Sequence, residues 1–117
     1  MDTINEVLAK MKTSYGKVIS CDKGWYPLIE ECHTELKAVD PDYEILQIKE
    51  KFGGLRFYFE SLDGEKYPKM HEIVRKYEEK SFTVCEVTGN GGTLHKKGSR
   101  VKTLSPQIAA TEGFSEC

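Results

Sequence analysis

Residues 43–60 constrain the fold of this chain more than any other stretch. Tyr43, Ile45, Gln47 and Lys49 alternate with Glu44, Leu46, Ile48 and Glu50, and the alternation stops at Phe52-Gly53-Gly54. A period of two places successive side chains on opposite faces of a strand, and the β-branched and aromatic content favours that conformation. Glycine adopts positive φ at no steric cost, so Phe52-Gly53-Gly54 reads as a turn. Leu55 to Glu60 is the return strand, with Leu55, Phe57 and Phe59 on one face and Arg56 and Tyr58 on the other. In the plain structural reading, Phe52, Leu55, Phe57 and Phe59 are core and the basic residues are solvated.

Helices flank this hairpin. Ile4, Val7, Leu8 and Met11 recur at helical spacing over residues 3–13, with Thr3 or Asp2 as the cap and Tyr15-Gly16 as the stop. Residues 16–24 read as a loop. A second helix opens at Asp22-Lys23-Gly24-Trp25-Tyr26-Pro27, where the missing N–H of Pro27 costs nothing in the first turn. Leu28, Ile29, Cys32, Leu36 and Val39 form its apolar stripe, and Asp40-Pro41-Asp42 stops it. Tyr67, Met70, Ile73, Val74 and Tyr77 mark a third helix over 67–80. From Ser81 the pattern changes. Phe82, Val84, Cys85 and Val87 suggest a short strand, Thr88-Gly89-Asn90-Gly91-Gly92 a tight loop, and 93–95 and 100–104 two further strands. Residues 105–117 read as a tail, a loose helix or a frayed end. The expected fold class is α+β: two N-terminal helices, a β-hairpin, a third helix and a small C-terminal β module over 81–104, all within a single domain of 117 residues.

Charge and cysteine content narrow the function classes. The formal net charge is −2, which argues against a general electrostatic DNA binder. The distribution is polarised. Residues 22–44 hold two Lys against seven acids; residues 45–59 hold Lys49, Lys51 and Arg56 against Glu50; residues 81–104 hold Lys96, Lys97, Arg100 and Lys102 against Glu86. No apolar run approaches the ~20 residues that span a bilayer, and the first residues lack the pattern of a signal peptide, so no membrane partner and a cytoplasmic location are expected. The cysteines, Cys21, Cys32, Cys85 and Cys117, form no C-x-x-C pair and read as reduced thiols. The histidines are His33, His71 and His95; His71 lies within a charged helix, and His33 beside Cys32 meets it only through a tertiary contact. No carboxylate pair has acid–base spacing. The expectation is a protein that is not an enzyme and carries no cofactor.

Two motifs carry a family resemblance. Gly24-Trp25-Tyr26-Pro27-Leu28-Ile29 and Lys49-Glu50-Lys51-Phe52-Gly53-Gly54-Leu55-Arg56-Phe57-Tyr58 are similar to the helix start and hairpin of a family of small, largely uncharacterised proteins of bacteria and their phages, over roughly residues 21–104. Members of that family often continue with Cys-x-x-Cys-Gly and a second ligand pair, the pattern of a zinc ribbon. Here Cys85 and Gly89 are kept, while Thr88, Ser105 and Ile108 stand at the other three ligand positions. Hydroxyls are poor Zn²⁺ ligands beside thiolate, and Ile cannot bind at all. His95 and Cys117 do not match the motif positions. The resemblance therefore implies a degenerate zinc ribbon without metal, held by hydrogen bonds and by packing of Phe82, Val84, Leu94, Val101 and Leu104.

The candidate ligand-binding residues are Trp25, Tyr26, Lys49, Lys51, Gly53, Gly54, Arg56 and Tyr58. Cations beside aromatic rings suit phosphates and bases together, and the two glycines would let a ligand approach the backbone. Trp25 and Tyr26 begin a helix, where exposed N–H groups favour an anion, although aromatics there are more often core. Thr88 to Gly92 followed by Lys96 and Lys97 reads as a turn more readily than as an anion nest. The leading expectation is a non-enzymatic, phage-type binding protein, a counter-defence factor that sequesters a nucleotide-like ligand or a host protein. A nucleic-acid-binding accessory module is the first alternative. An acidic inhibitor of a host nuclease, acting through residues 22–44, is the second. Ligands of this kind are often held at subunit interfaces, so a homo-oligomer is compatible with the reading.

Overall fold

A computed structural model describes residues 3–12 and 16–117. The Asp2 cap, the helix end at residue 13 and the Tyr15 stop lie outside the described residues. Helix α1 (Ile4–Lys10) is capped by Thr3, whose Oγ1 accepts from Glu6 N. A two-residue strand β1 (Ile19–Ser20) and a 3₁₀ turn (Lys23–Trp25) follow, where the sequence reads as loop. Then come α2 (Tyr26–Val39), the hairpin β2 (Glu44–Lys51) and β3 (Gly54–Glu60), and α3 (Tyr67–Ser81). The C-terminal part holds β4 (Thr93–Lys97), β5 (Arg100–Leu104), α4 (Pro106–Glu112) and β6 (Ser115–Glu116). The α+β class is thus observed, with two three-stranded sheets ordered β1-β2-β3 and β5-β4-β6.

The first sheet is covered on one face. Ile45, Ile48, Leu55, Phe57 and Phe59 pack with Leu28, Ile29, Cys32 and Leu36 of α2 and Met70, Val74 and Tyr77 of α3. Strict alternation would place Ile45 and Ile48 on opposite faces. A bulge between Ile45 and Gln47 inserts Leu46, so both isoleucines reach the core. After the bulge, Gln47, Lys49 and Lys51 share the outer face. Helix α3 also closes the free edge of β3: Ser81 Oγ accepts from Leu55 N at 2.9 Å, and Glu78 Oε2 accepts from Phe57 N at 3.0 Å. These bonds blunt an edge that would otherwise template further pairing.

The C-terminal part has its own small core of Cys85, Leu104, Ala109 and Phe114, with Val87 and Ile108 against it. This set differs from the expected one. Phe82 is 39 % exposed, and no strand forms over 82–87. Residues 85–92 instead close a turn through Gly89 N→Cys85 O, Cys85 N→Asn90 O and Gly92 N→Thr83 O. The tail is ordered. Gly113 takes φ +77 and ends α4, and Phe114 N donates to Ala109 O. That Schellman-type turn drops Phe114 onto Ala109 and leads β6 back to pair with β4.

A buried polar cluster joins the two parts. Glu86 is 2 % exposed; its Oε2 accepts from Asp22 N at 3.0 Å and its Oε1 from Lys102 Nζ at 3.4 Å. Burial raises its carboxyl pKa, partly opposed by the Asp22 N–H and Lys102, with Asp22 and Glu50 adding repulsion. Cys21, also in this cluster, is raised to about 12, first by burial and then by Glu86. A carboxyl whose folded pKa lies above its unfolded value favours the fold at low pH. That advantage is lost as pH climbs from the ordinary carboxylate range, ~4.3, through the raised value. Glu86→Gln removes the titration, so its stability is expected to gain on wild type as pH rises above the ordinary carboxylate range, read as urea midpoints. Parallel pH profiles for the two proteins would contradict this assignment.

Candidate basic sheet face and edge groove

The outer face of the β1-β2-β3 sheet carries the sequence-predicted cations. Register places Ser20 beside Lys49 and Lys49 opposite Arg56, so the three form one row across the sheet. Gln47 lies opposite Tyr58 in the next row, and Lys51 opposite Gly54 in the row beyond. Lys49 and Arg56 are half-buried, and Tyr58 is 42 % exposed. Neither Lys49 nor Arg56 has an ion-pair or side-chain hydrogen-bond partner among the described residues. At the opposite end of the face the acids are neutralised, since Lys12 bridges Glu44 and Glu60. Two unpaired cations side by side repel each other, and an anion between them would relieve that repulsion.

A groove of about 460 Å³ runs along the edge of β3, lined by Arg56, Tyr58, Tyr67, His71 and Glu78 among others. Phe59 stacks on Tyr67 with ring centroids 5.1 Å apart, and Tyr67 on His71 at 6.2 Å. Sequence reading missed Tyr67 and His71. Helical spacing puts them one turn apart, but nothing local tells that α3 lies beside Tyr58. A larger cavity, about 660 Å³, lies elsewhere and is lined by Asp40, Asp42, Asp63, Glu65 and Lys66. Its acids disfavour anions, and Asp40 already accepts from Ser61 Oγ and Asp42 N, which hold its carboxyl below the usual range.

Three predicted residues leave the candidate site. Trp25 is fully buried, and its Nε1 donates to Val84 O at 2.9 Å, so it cannot stack on a ligand. Gly53 and Gly54 are buried as well. A Cβ on Gly53 would meet Leu94 Cδ2 at 2.6 Å, and one on Gly54 would meet the Phe82 ring at 2.3 Å. Their missing side chains admit the C-terminal part instead of a ligand, and Thr103 Oγ1 donates to Gly53 O at 2.7 Å. Tyr26 is half-buried against the core. The donors expected to attract an anion near the start of α2 serve an internal one: Asp22 N reaches the Glu86 carboxylate and Gly24 N the Glu86 carbonyl. The 88–92 loop is equally spent, with Gly89, Asn90 and Gly92 N–H groups all bonded locally.

The positions that the family resemblance assigns to zinc converge. The Cys85 thiol lies against Thr88 and Ser105. Burial raises its pKa, but hydrogen bonds from the side chains and backbones of these two residues outweigh that and hold it below the ordinary thiol value. Ile108 packs on the same cluster. Among the described residues no group of three or more His, Cys, Asp or Glu could hold a metal ion.

The acids of residues 22–44 are largely engaged inside the molecule. Glu30 Oε2 accepts from Ile4 N, and Glu35 accepts from Lys76 and from the Tyr77 hydroxyl. The bond from Lys76, and then that from Tyr77, lowers the Glu35 pKa. No helix among the described residues is long and apolar enough to cross a membrane. No family model matches the chain, and neither a curated protein nor a solved structure shows significant similarity to it.

Proposed function

We propose that this chain is a non-enzymatic binding protein whose ligand is a nucleotide-like anion held on the outer face of the first sheet. The observation that carries the reading is the Lys49–Arg56 row, two unpartnered cations beside Tyr58 and an aromatic-lined groove. Arg56 offers a planar fork that suits phosphate oxygens, Lys49 a point charge, and Tyr58 a ring face for a base. The groove lies within the size range of small-molecule sites. A counter-defence role, sequestering such a ligand inside a host cell, rests on the phage-type resemblance alone. The nuclease-inhibitor alternative is disfavoured, because Glu30, Glu35 and Asp40 already serve internal donors.

Native mass spectrometry of protein purified from bacterial cells, followed by the same measurement after denaturation, tests the reading. The expected result is an intact adduct of nucleotide mass, released on denaturation. In calorimetric titrations with ATP, Lys49→Ala and Arg56→Ala are each expected to weaken binding about tenfold or more, since hydrogen bonds to charged groups contribute ~1.5–3 kcal/mol. A bare chain that also gives no heat with millimolar ATP or pyrophosphate would overturn the assignment. A chemically altered ligand would overturn its non-enzymatic part.

A further inference from the structure

The hairpin tip carries an unexplained cost. Phe52 and Gly53 are the two central residues between β2 and β3, with φ of +54 and +84. Both being left-handed makes this a type I′ connection, which favours Asn, Asp or Gly at its first position. A bulky aromatic there is strained. Burial does not offset the strain, because Phe52 is 71 % exposed, contrary to its expected place in the core. Its ring stands instead beside cations. Lys51 Nζ lies 5.7 Å from the ring centroid, and Phe52 shares a groove of about 270 Å³ with Glu50, Ser99, Arg100, Val101 and Lys102. Glu50 is tied to Gly53 N at 2.8 Å, and Lys102 is held by Glu86 and Asp22. Arg100 also lies over Phe114, 5.6 Å from its centroid.

We infer that Phe52 is a base-stacking residue and that the ligand of the sheet face is a single-stranded oligonucleotide, an inference that rests on the nucleotide-binding reading above. Register gives the geometry. Tyr58 lies opposite Gln47 on the outer face, and Phe52 stands at the hairpin tip five residues further along, beside Arg100 and Lys102, on the order of 16 Å away at the rise of a strand. One base cannot stack on two rings so far apart, whereas a strand can place one base on each. Between them on the outer face lie Lys49 and Lys51, with Arg56 opposite Lys49, while Glu50, which shares the Phe52 groove, is tied to Gly53 N. Cations tracking a backbone between exposed rings are the pattern of sequence-tolerant single-strand binding.

Fluorescence anisotropy with 5′-fluorescein oligo-dT of two, four, eight and twelve nucleotides tests the inference. Wild-type affinity is expected to rise with length, and binding to fall with salt at a log–log slope of about −2 for three phosphates contacted. Phe52→Asn is expected to raise the Tm by a few degrees while abolishing most of the gain with length, about tenfold. Phe52→Tyr is expected to keep that gain. A wild-type affinity independent of length, an unaltered length series in F52N, or a lower Tm for F52N would each overturn the inference. If ATP binds and oligo-dT does not, the inference falls and the nucleotide reading stands. If neither binds, both fall.

Discussion

Gly24→Ala is expected to destabilise the chain by about 3 kcal/mol or more, roughly a 10–15 °C drop in Tm for a protein of this size. A Cβ at residue 24 would meet Cys85 O at 2.3 Å, Glu86 O at 2.4 Å and the Glu86 carbonyl carbon at 2.6 Å. These are backbone atoms, so no rotamer change relieves the clash. Cys85 is fixed by its own bond to Asn90 O, and the Glu86 amide by Thr103 O. Moving the 3₁₀ turn away would break Gly24 N→Glu86 O, 2.7 Å, and pull Asp22 N off the buried Glu86 carboxylate. The effect comes from crowding, because Gly24 does not have positive φ. Gly64→Ala is the control, since a Cβ there meets nothing within 4 Å. Thermal melts followed by circular dichroism compare the two. A Gly24→Ala melt within about 2 °C of wild type would mean that this contact does not hold the two parts of the chain together.

Trp25→Ala is expected to cost ~3–5 kcal/mol, the range for removing a large buried aromatic. Against a total stability of ~5–15 kcal/mol, this leaves a marginal fold. Trp25 is the one tryptophan of the chain and has no exposed surface. It also bonds across the chain, because its indole N–H satisfies Val84 O. Trp25→Phe separates the two contributions. It keeps most of the apolar volume but leaves Val84 O without its donor, for an expected loss of ~1–3 kcal/mol. Urea denaturation read by circular dichroism measures both. A Trp25→Phe midpoint equal to wild type would show the indole bond to be dispensable. Together, Gly24 and Trp25 give the first helix motif a structural role: it is the surface on which the C-terminal part docks.

The local elements were legible in the sequence because their causes are local. The stripe of α2, the stripe of α3 and the return strand are set by periodicities of 3.6 and 2. The predicted pairing of Leu55, Phe57 and Phe59 against Arg56 and Tyr58 follows from the same geometry, and the buried and exposed positions agree with it. The cation row was half legible. Lys49 and Arg56 were both singled out, and the turn at Phe52-Gly53 sets them opposite each other; what no local pattern announces is the bulge at Leu46, which takes Ile45 off their face and into the core.

The sequence by itself determined the helices α2 and α3, where the hairpin turns and which face of β3 is apolar. These depend on backbone sterics and side-chain period within a few residues. Only the tertiary structure decided what the conspicuous residues are for. Trp25, Gly53 and Gly54 look ligand-facing in isolation, and they are buried because a second small core packs on them. Phe52 looks like core and is exposed. The tail read as either a loose helix or a frayed end, and it forms a helix that ends where one left-handed glycine turns Phe114 onto Ala109. The physical reason is common to all of these. Burial and hydrogen-bond partnership are set by segments distant in sequence, here residues 22–25 meeting 84–86 and residues 53–54 meeting 82, 94 and 103.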